Sequence, residues 1–598
     1  MPNYKAPLRD MRFVLFDVLG ADRLTQMKAY EEAGRDTIEA VLEEAGKVAE
    51  EVLFPLNRSG DEEGCTWNNG AVTTPKGFKE AYKTFREGGW TALACEPDFG
   101  GSGLPHALDI AVGEMFCSAN MSFSMYPGLS HGAYTSVLVW GTDELKKLYL
   151  PHLVDGTWSG TMCLTEPHCG TDLGLIRTKA TPNDDGSYAI TGTKIFISAG
   201  EHDLTDNIVH LVLAKLPDAP PGTKGISLFI VPKFIPDAQG NPGERNTLEC
   251  GAIEHKMGIK ASSTCVMNFD GAKGWLVGAP HSGMKGMFTM MNAARLFVGV
   301  QGLGLAEVSY QNALAYAKDR RQGRALSGAK EPQQPADPLI VHPDVRKNLL
   351  TMKALIEGSR ALAYWCGLTL DVEHHGLSKE EKAEAADLVA LLTPIVKSFL
   401  TDMSHQVTNL GMQIFGGHGY IREHGMEQYA RDARITQIYE GANGIQALDL
   451  VGRKLPDGMG RLLRRFFHPA MQFMEDEKGN PALAELLPQF AKAFGRLQQA
   501  TVLVAQKGMA KPDEAGAAAT DYLNSFALVA LAFMWLKMAK VAAEKLPHAA
   551  DEAEKTFLDA KLKTAAFYYA KILPQTGGLL LSLQAGAKTL MALDAEAF

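Results

Sequence analysis

The chain has 598 residues, of which 46% are hydrophobic and 21% charged, with 59 basic and 69 acidic side chains for a formal net charge of −10. That composition belongs to a folded globular protein and excludes a disordered, collagen-like or fibrous chain. It also argues against a surface built mainly to hold nucleic-acid phosphates, and the length suits roughly four domains.

The opening MPNYKAPLRD carries Lys5, Arg9 and Asp10 and lacks the apolar stretch of a signal peptide. From Asp22 to about Gly160 the apolar spacing is mostly helical, which predicts helices over 26–56 and 76–87 before a glycine-rich loop at 88–105. From Thr161 to about Gly278 the pattern turns to β, with strands expected at 186–197 after the Asp185-Gly186 turn, and at 207–214, 225–232 and 264–269. A block of that size suits a small sandwich or barrel. Helices are expected again over 287–321, 343–372, 379–412 and near Glu427, with a proline-rich break at 327–338. A second break at 454–460 precedes a third helical block that includes 515–543. The domains expected are 1–160 (helical), 161–280 (β), 281–455 (helical bundle) and 460–598 (helical extension).

Helices, a compact β block and helices again is not the alternation of a Rossmann sheet. The longest uninterrupted apolar run, 526–536, has 11 residues. That is short of the ~20 a membrane-spanning helix uses, so no span is expected. The eight cysteines contain no C-x-x-C pair, which points to a reducing cytoplasm and to neither a disulfide framework nor a zinc ribbon.

Four segments offer chemistry. In Met162-Cys-Leu-Thr-Glu-Pro-His-Cys-Gly-Thr-Asp-Leu173, the hydroxyls of Thr165 and Thr171 and the open backbone at Gly170 suit a polar ligand, although turn chemistry alone accounts for the same residues. In Lys194-Ile-Phe-Ile-Ser198, Phe196 and Ser198 are two apart on a strand and share a face that suits a flat ring; core packing of Phe196 is the alternative. Asp319-Arg-Arg-Gln-Gly-Arg324 and Gln413-Ile-Phe-Gly-Gly-His-Gly-Tyr420 combine arginine with glycine-freed amides, which suits a pyrophosphate or equally a solvated helix end with a glycine cap. In Tyr439-Glu-Gly-Ala-Asn-Gly444, Glu440 stands where apolar neighbours would make it a base, against the plainer reading of an exposed helix-end glutamate. The histidines offer no metal-ligand set, and the glycines at 299, 302 and 304 fall mid-helix, where close packing explains them.

In order, TEPHCGTD, TGTKIFIS, EHKMGIKAS, DRRQGR, QIFGGHGY and YEGANGIQ resemble the acyl-CoA dehydrogenase flavoenzymes. The chain is most similar to the bacterial branch with a C-terminal helical extension. The resemblance implies a mainly α fold: an N-terminal helical domain, a β-barrel-like middle domain and a helical bundle, plus that extension. It implies FAD as cofactor, with Met162, Leu164, Thr165, Gly170 and Thr171 lining the flavin, Phe196 beside the isoalloxazine ring and Ser198 near N5. Arg320, Gln413 and Gly417 match positions that meet the pyrophosphate and adenosine, commonly from a neighbouring subunit. Glu440 matches the base that removes the α-proton of an acyl-CoA thioester while hydride passes from the β-carbon to N5, giving a trans-2-enoyl-CoA. Arg295 matches an arginine packed near that base. Ala293 and Ala294 leave no carboxylate at the alternative base position, whereas Ala442, Gly444, Gln322 and Gly323 depart from the commoner adenine-side pattern.

The implied substrates run from 3-methylmercaptopropionyl-CoA to medium and long fatty acyl-CoAs. An electron-transfer flavoprotein is the implied acceptor and a homodimer the implied assembly. An acyl-CoA oxidase shares the fold and base, with oxygen as acceptor. A DNA-associated relative would need a basic C-terminal region, but residues 456–598 hold 16 Lys+Arg and 15 Asp+Glu, so no nucleic-acid partner is expected.

Overall fold

The computed structural model describes residues 2–237 and 239–598. The chain divides into two compact units: Lys47–Leu104 with Met115–Phe297, and Met1–Gly46 with Pro105–Glu114 and Val298–Phe598.

The first of these is built on a sheet of seven strands. Five of them, Thr264–Val277, Tyr188–Ser198, Lys179–Pro182, Asn207–Lys215 and Ile226–Pro232, pair in a closed ring, because the last pairs back with the first. Leu248–Ile253 and Trp158–Cys163 are added at its sides. The barrel reading therefore holds. The strand at Trp158–Cys163 starts three residues before the expected change from helix to β at Thr161, and the strands at Lys179–Pro182 and Leu248–Ile253 are not among those the alternation predicts.

Residues of Asn207–Lys215 alternate between two cores. Val212 and Ala214 pack with Phe229, Val231 and Met267, while Val209, Leu211 and Leu213 pack with Tyr149, Leu153, Trp158 and Met290. With both faces covered, this strand reads as a continuous apolar run rather than an alternating one. Within helix His106–Trp140, Asn120 leaves helical geometry at φ −157 and its Oδ1 caps the restarted turn by accepting from Phe123 N at 3.0 Å.

The second unit is helical. Helices Pro343–His375 and Lys379–Phe415 lie side by side. Gly299 and Gly302 of helix Gly283–Asp319 let that helix approach Lys379–Phe415 closely: a Cβ at either would fall 2.8–2.9 Å from Val396 Cγ1 or the Leu400 carbonyl. Helix Pro512–Lys545 packs on Pro343–His375 at Gly358, where Trp535 Nε1 donates to the Ala354 carbonyl at 3.0 Å. The segment Pro512–His548 is long and apolar enough by length and composition to cross a bilayer, which the 11-residue run did not reveal; 78% of its most apolar window is buried within the fold.

Charge is buried here as well. Arg360, 1% exposed, bonds Asp10 at 2.5 Å, Glu114 at 2.5 Å and Glu307 at 2.7 Å, and Tyr364 donates to Glu114 at 2.6 Å. Lys561 of the C-terminal extension joins the cluster through Asp10 and through Glu357 at 2.8 Å. Burial works against the Asp10 carboxylate, but Lys561 and Arg360 hold it down at about 2.

Candidate cofactor and active site

The strand Trp158–Cys163 leads into a narrow loop closed by Glu166 and Cys169, whose backbones exchange two hydrogen bonds of 3.0 Å. Met162 is buried at the strand end, Leu164 and Thr165 are half-buried, and Gly170 and Thr171 are exposed. A Cβ at Gly170 would meet nothing nearer than Thr165 Cγ2 at 4.0 Å, so there is open space over this loop. The Thr165 carbonyl accepts from Ile195 N at 2.9 Å and ties the loop to strand Tyr188–Ser198.

At that tie the strand bulges. Cys265 pairs with Ile197 and Met267 with Lys194, so Ile195 and Phe196 together oppose Val266 alone. Phe196 sits in the left-handed region at φ 59, and it is 59% exposed, which overturns core packing for this ring. A non-glycine residue there costs about 1–2 kcal/mol, a strain that concentrates at ligand-binding positions. Ser198, half-buried, follows the buried Ile197.

Sequence reading missed what holds this wall. Lys194 is fully buried; its Nζ bonds Glu166 Oε1 at 2.8 Å and the Leu164 carbonyl at 3.0 Å. Glu166 also accepts from Arg177 N at 2.7 Å, Thr178 N at 3.0 Å and Thr178 Oγ1 at 2.6 Å. The only signal was a glutamate in one motif and a lysine in the next, 28 positions apart. Glu166, His168 and Cys169 offer metal-ligand atoms within 4.8 Å of one another. Glu166 is already committed to Lys194, however, and His168 Nε2 to the Leu175 carbonyl at 2.9 Å. Arg295, 8% exposed, bonds Asn292 Oδ1 at 3.3 Å and lies over the Phe288 ring at 5.8 Å.

In the helical unit Arg320, Gln413 and Gly417 come together. They line one cavity of about 430 Å³ with Tyr316, Asp344 and His418. Arg320 follows helix Gly283–Asp319, and Gly416 ends helix Lys379–Phe415 at φ 60, ψ −137, a conformation suited to glycine. Tyr316 stacks on Phe415 at 4.0 Å and shares a 2.8 Å hydrogen bond with His418 Nδ1. The proline-rich break beside this cavity is an ordered loop: the buried Asp337 carboxylate accepts from Ala325, Lys330 and Glu331 N–H at 2.8–3.0 Å.

Glu440 lies four residues past helix Met426–Thr436, half-buried, at φ 55, followed by Gly441 at φ 88. The turn is clamped by Asn443, whose Nδ2 places its two N–H groups among three acceptors, the Ser398 carbonyl, Thr401 Oγ1 and Asp402 Oδ1, at 3.1, 2.9 and 2.8 Å. Its Oδ1 accepts from the buried Lys397 Nζ at 2.9 Å. Gln437 reaches Asp402 at 2.6 Å, and Tyr439 hydroxyl donates to Gln301. Of the expected apolar company, Ile438 is 51% exposed, so the turn is held chiefly by polar contacts.

An exposed aromatic face beside a hydroxyl and an open glycine loop fits a flat ring system, and a guanidinium beside glycine amides fits a pyrophosphate. Each set of residues, taken by itself, has the chemistry that one end of FAD would use.

Family models for the acyl-CoA dehydrogenase N-terminal, middle and C-terminal domains match residues 35–157, 161–272 and 281–455, and an acetyl-CoA dehydrogenase C-terminal-like model matches 466–594. The 3-methylmercaptopropionyl-CoA dehydrogenase of Ruegeria pomeroyi is 44% identical over 572 residues, covering 96% of each chain. The broad-specificity linear acyl-CoA dehydrogenase FadE5 of Mycobacterium tuberculosis is 34% identical over 622 residues, covering 100% of each. Butyryl-CoA dehydrogenase from Megasphaera elsdenii superposes with TM-score 0.57 at 28% identity, over 70% of this chain and 98% of that one. Caenorhabditis elegans ACDH-11 in complex with C11-CoA superposes with TM-score 0.76 over 95% and 91%, and at 20% identity this likeness speaks to the fold.

Proposed function

Because the chain belongs to the acyl-CoA dehydrogenase family, we propose that it dehydrogenates an acyl-CoA thioester at the α and β carbons, with Glu440 as the base. FAD, when bound, supplies the acceptor for the hydride lost from the β-carbon. Met162, Leu164, Thr165, Gly170, Thr171, Phe196 and Ser198 would hold its ring end. Arg320, Gln413 and Gly417 would hold its pyrophosphate and adenosine.

The observation that carries the assignment is the left-handed turn at Glu440, fastened by the amide of Asn443. A strained, externally clamped backbone is a way to aim one side chain. Glu440 Oε takes the α-proton, while its backbone N–H donates to the thioester carbonyl and stabilises the charge that develops there, an effect of about 3 kcal/mol for a preorganised donor.

The relative at 44% identity makes the short thioether 3-methylmercaptopropionyl-CoA the first substrate to test, beside butyryl- and longer acyl-CoAs. We further infer an electron-transfer flavoprotein as acceptor and a homodimer in the cytoplasm. Glu440→Gln is expected to bind FAD as the parent does and to leave it oxidised on addition of acyl-CoA. Rapid bleaching by that variant would overturn the role of Glu440. Peroxide release without an added acceptor would favour the oxidase reading instead.

A further inference from the structure

The Glu166–Lys194 pair takes no part in proton or hydride chemistry, yet it is one of the more exacting constructions in the β unit. Two buried charges are tolerated only when their lone pairs and protons are used, and here they are. Glu166 receives four hydrogen bonds, from Lys194 Nζ, Arg177 N, Thr178 N and Thr178 Oγ1. Lys194 spends a second proton on the Leu164 carbonyl. Room for Thr178 is kept by Gly192, where a Cβ would fall 2.4 Å from Thr178 Oγ1.

The placement of the pair is informative. Glu166 follows Thr165 in the loop, and Lys194 is the last regularly paired residue before the Ile195–Phe196 bulge. The backbone bond from Ile195 N to the Thr165 carbonyl lies between them. Two apolar residues of similar volume would stabilise the fold as well or better. What they could not do is bind the Leu164 carbonyl and the Arg177–Thr178 amides at once, and so fix the register of loop against strand.

Resting on the flavin reading above, we propose that Glu166 and Lys194 are positioning residues for the cofactor: they hold Leu164 and Thr165 against the bulge, and thereby set where the Phe196 ring and the Ser198 hydroxyl stand.

The test uses the full chain in two variants. Glu166→Gln with Lys194→Met removes both charges together and strands neither; Thr178→Val keeps both charges and removes one arm of the cage. The measurements are the FAD dissociation constant from quenching of flavin fluorescence, the vibronic structure of the visible flavin band, the midpoint potential of the bound flavin, and the thermal midpoint without FAD. The double variant is expected to melt close to the parent, to bind FAD about tenfold more weakly, as loss of outer-sphere support does at metal sites, and to show a shifted potential. Thr178→Val is expected to move the same readouts in the same direction by less. FAD affinity, spectrum and potential equal to the parent's in a folded double variant would overturn the proposal. If the double variant does not fold, unchanged flavin properties in Thr178→Val overturn it and weakened binding supports it. Failure of the unmodified chain to take up FAD at all would instead bring down the flavin reading, and this inference with it.

Discussion

Phe196 occupies backbone that suits glycine, and its ring covers little of the protein's own core. Replacing it with glycine would relieve about 1 kcal/mol of strain while removing the surface on which a flat ring would lie. Phe196→Gly is therefore expected to melt at or slightly above the parent temperature without FAD and to bind FAD more weakly; calorimetry and a fluorescence titration read the two effects separately. Asn443 is the converse. Asn443→Ala removes the amide that clamps the Glu440 turn, and truncation of a half-buried, multiply bonded amide costs about 1–3 kcal/mol. If Glu440 is the base as proposed, the expected kinetic result is a fall in kcat that exceeds any rise in KM, since the aim of that side chain is lost rather than the binding of CoA. Much of this was legible beforehand: the residue types at 165, 196, 198 and 440 stand in recognisable motifs. The bulge at 195–196 was not, because a two-against-one count exists only once Val266 is known to face it. Neither was the Glu166–Lys194 pair, since nothing local to either residue names its partner.

Among the elements, the C-terminal helices show how an apparent spacer is integrated. Trp535 fills the space left by Gly358, and Lys561 reaches the cluster around Arg360, which also holds Asp10 of the N-terminal segment. Lys561→Met would leave Asp10 and Glu357 with less compensation in a buried setting, and a destabilisation of about 3 kcal/mol is expected in denaturant unfolding. Lys561→Met combined with Glu357→Gln should recover part of that loss; a double variant as unstable as the sum of the single changes would show that the charges are not coupled. The same packing explains helix Pro512–Lys545. Its apolar stretch is broken by Lys537 in sequence, yet over a longer window it has the hydropathy of a membrane span, and most of that window is buried by neighbouring helices. Periodicity located such helices well, as it did for 343–372 and 379–412. It failed for Lys179–Pro182 and Leu248–Ile253, which are short and flanked by polar residues, and whose β conformation comes from the strands they pair with.

For the molecule as a whole, acid should act through its buried titratable groups. Burial first, and the neighbouring Lys233 second, hold His202 and His210 neutral down to about 3. Between that value and the ordinary histidine value near 6.5 the unfolded chain takes up protons that the folded chain refuses, so stability falls as pH falls through this window. Asp371 works the other way. Burial pushes it up to about 7 despite hydrogen bonds from Ala107 N, His106 N and Tyr30 hydroxyl. Below about 7 the folded chain keeps a proton that the unfolded chain releases until near 3.8, so this group adds stability on acidification. Taken together, these three groups lose stability from pH 6.5 to 4, because two histidines act against one aspartate. Asp371→Asn should gain thermal stability over the parent at pH 8 and lose that advantage by pH 5. A constant difference across that range would refute the assignment of the shift.

The order of helix, β and helix segments, the family and the chemistry of its motifs all follow from amino-acid pattern, because hydrophobic period, turn residues and motif spacing are properties of neighbours along the chain. The closed ring of five strands, the left-handed backbone at Phe196 and Glu440, the cage around Glu166 and Lys194 and the charge cluster at Arg360 do not. Each joins residues tens to hundreds of positions apart, and such contacts form only when packing brings distant segments together and excludes the water that would otherwise satisfy them.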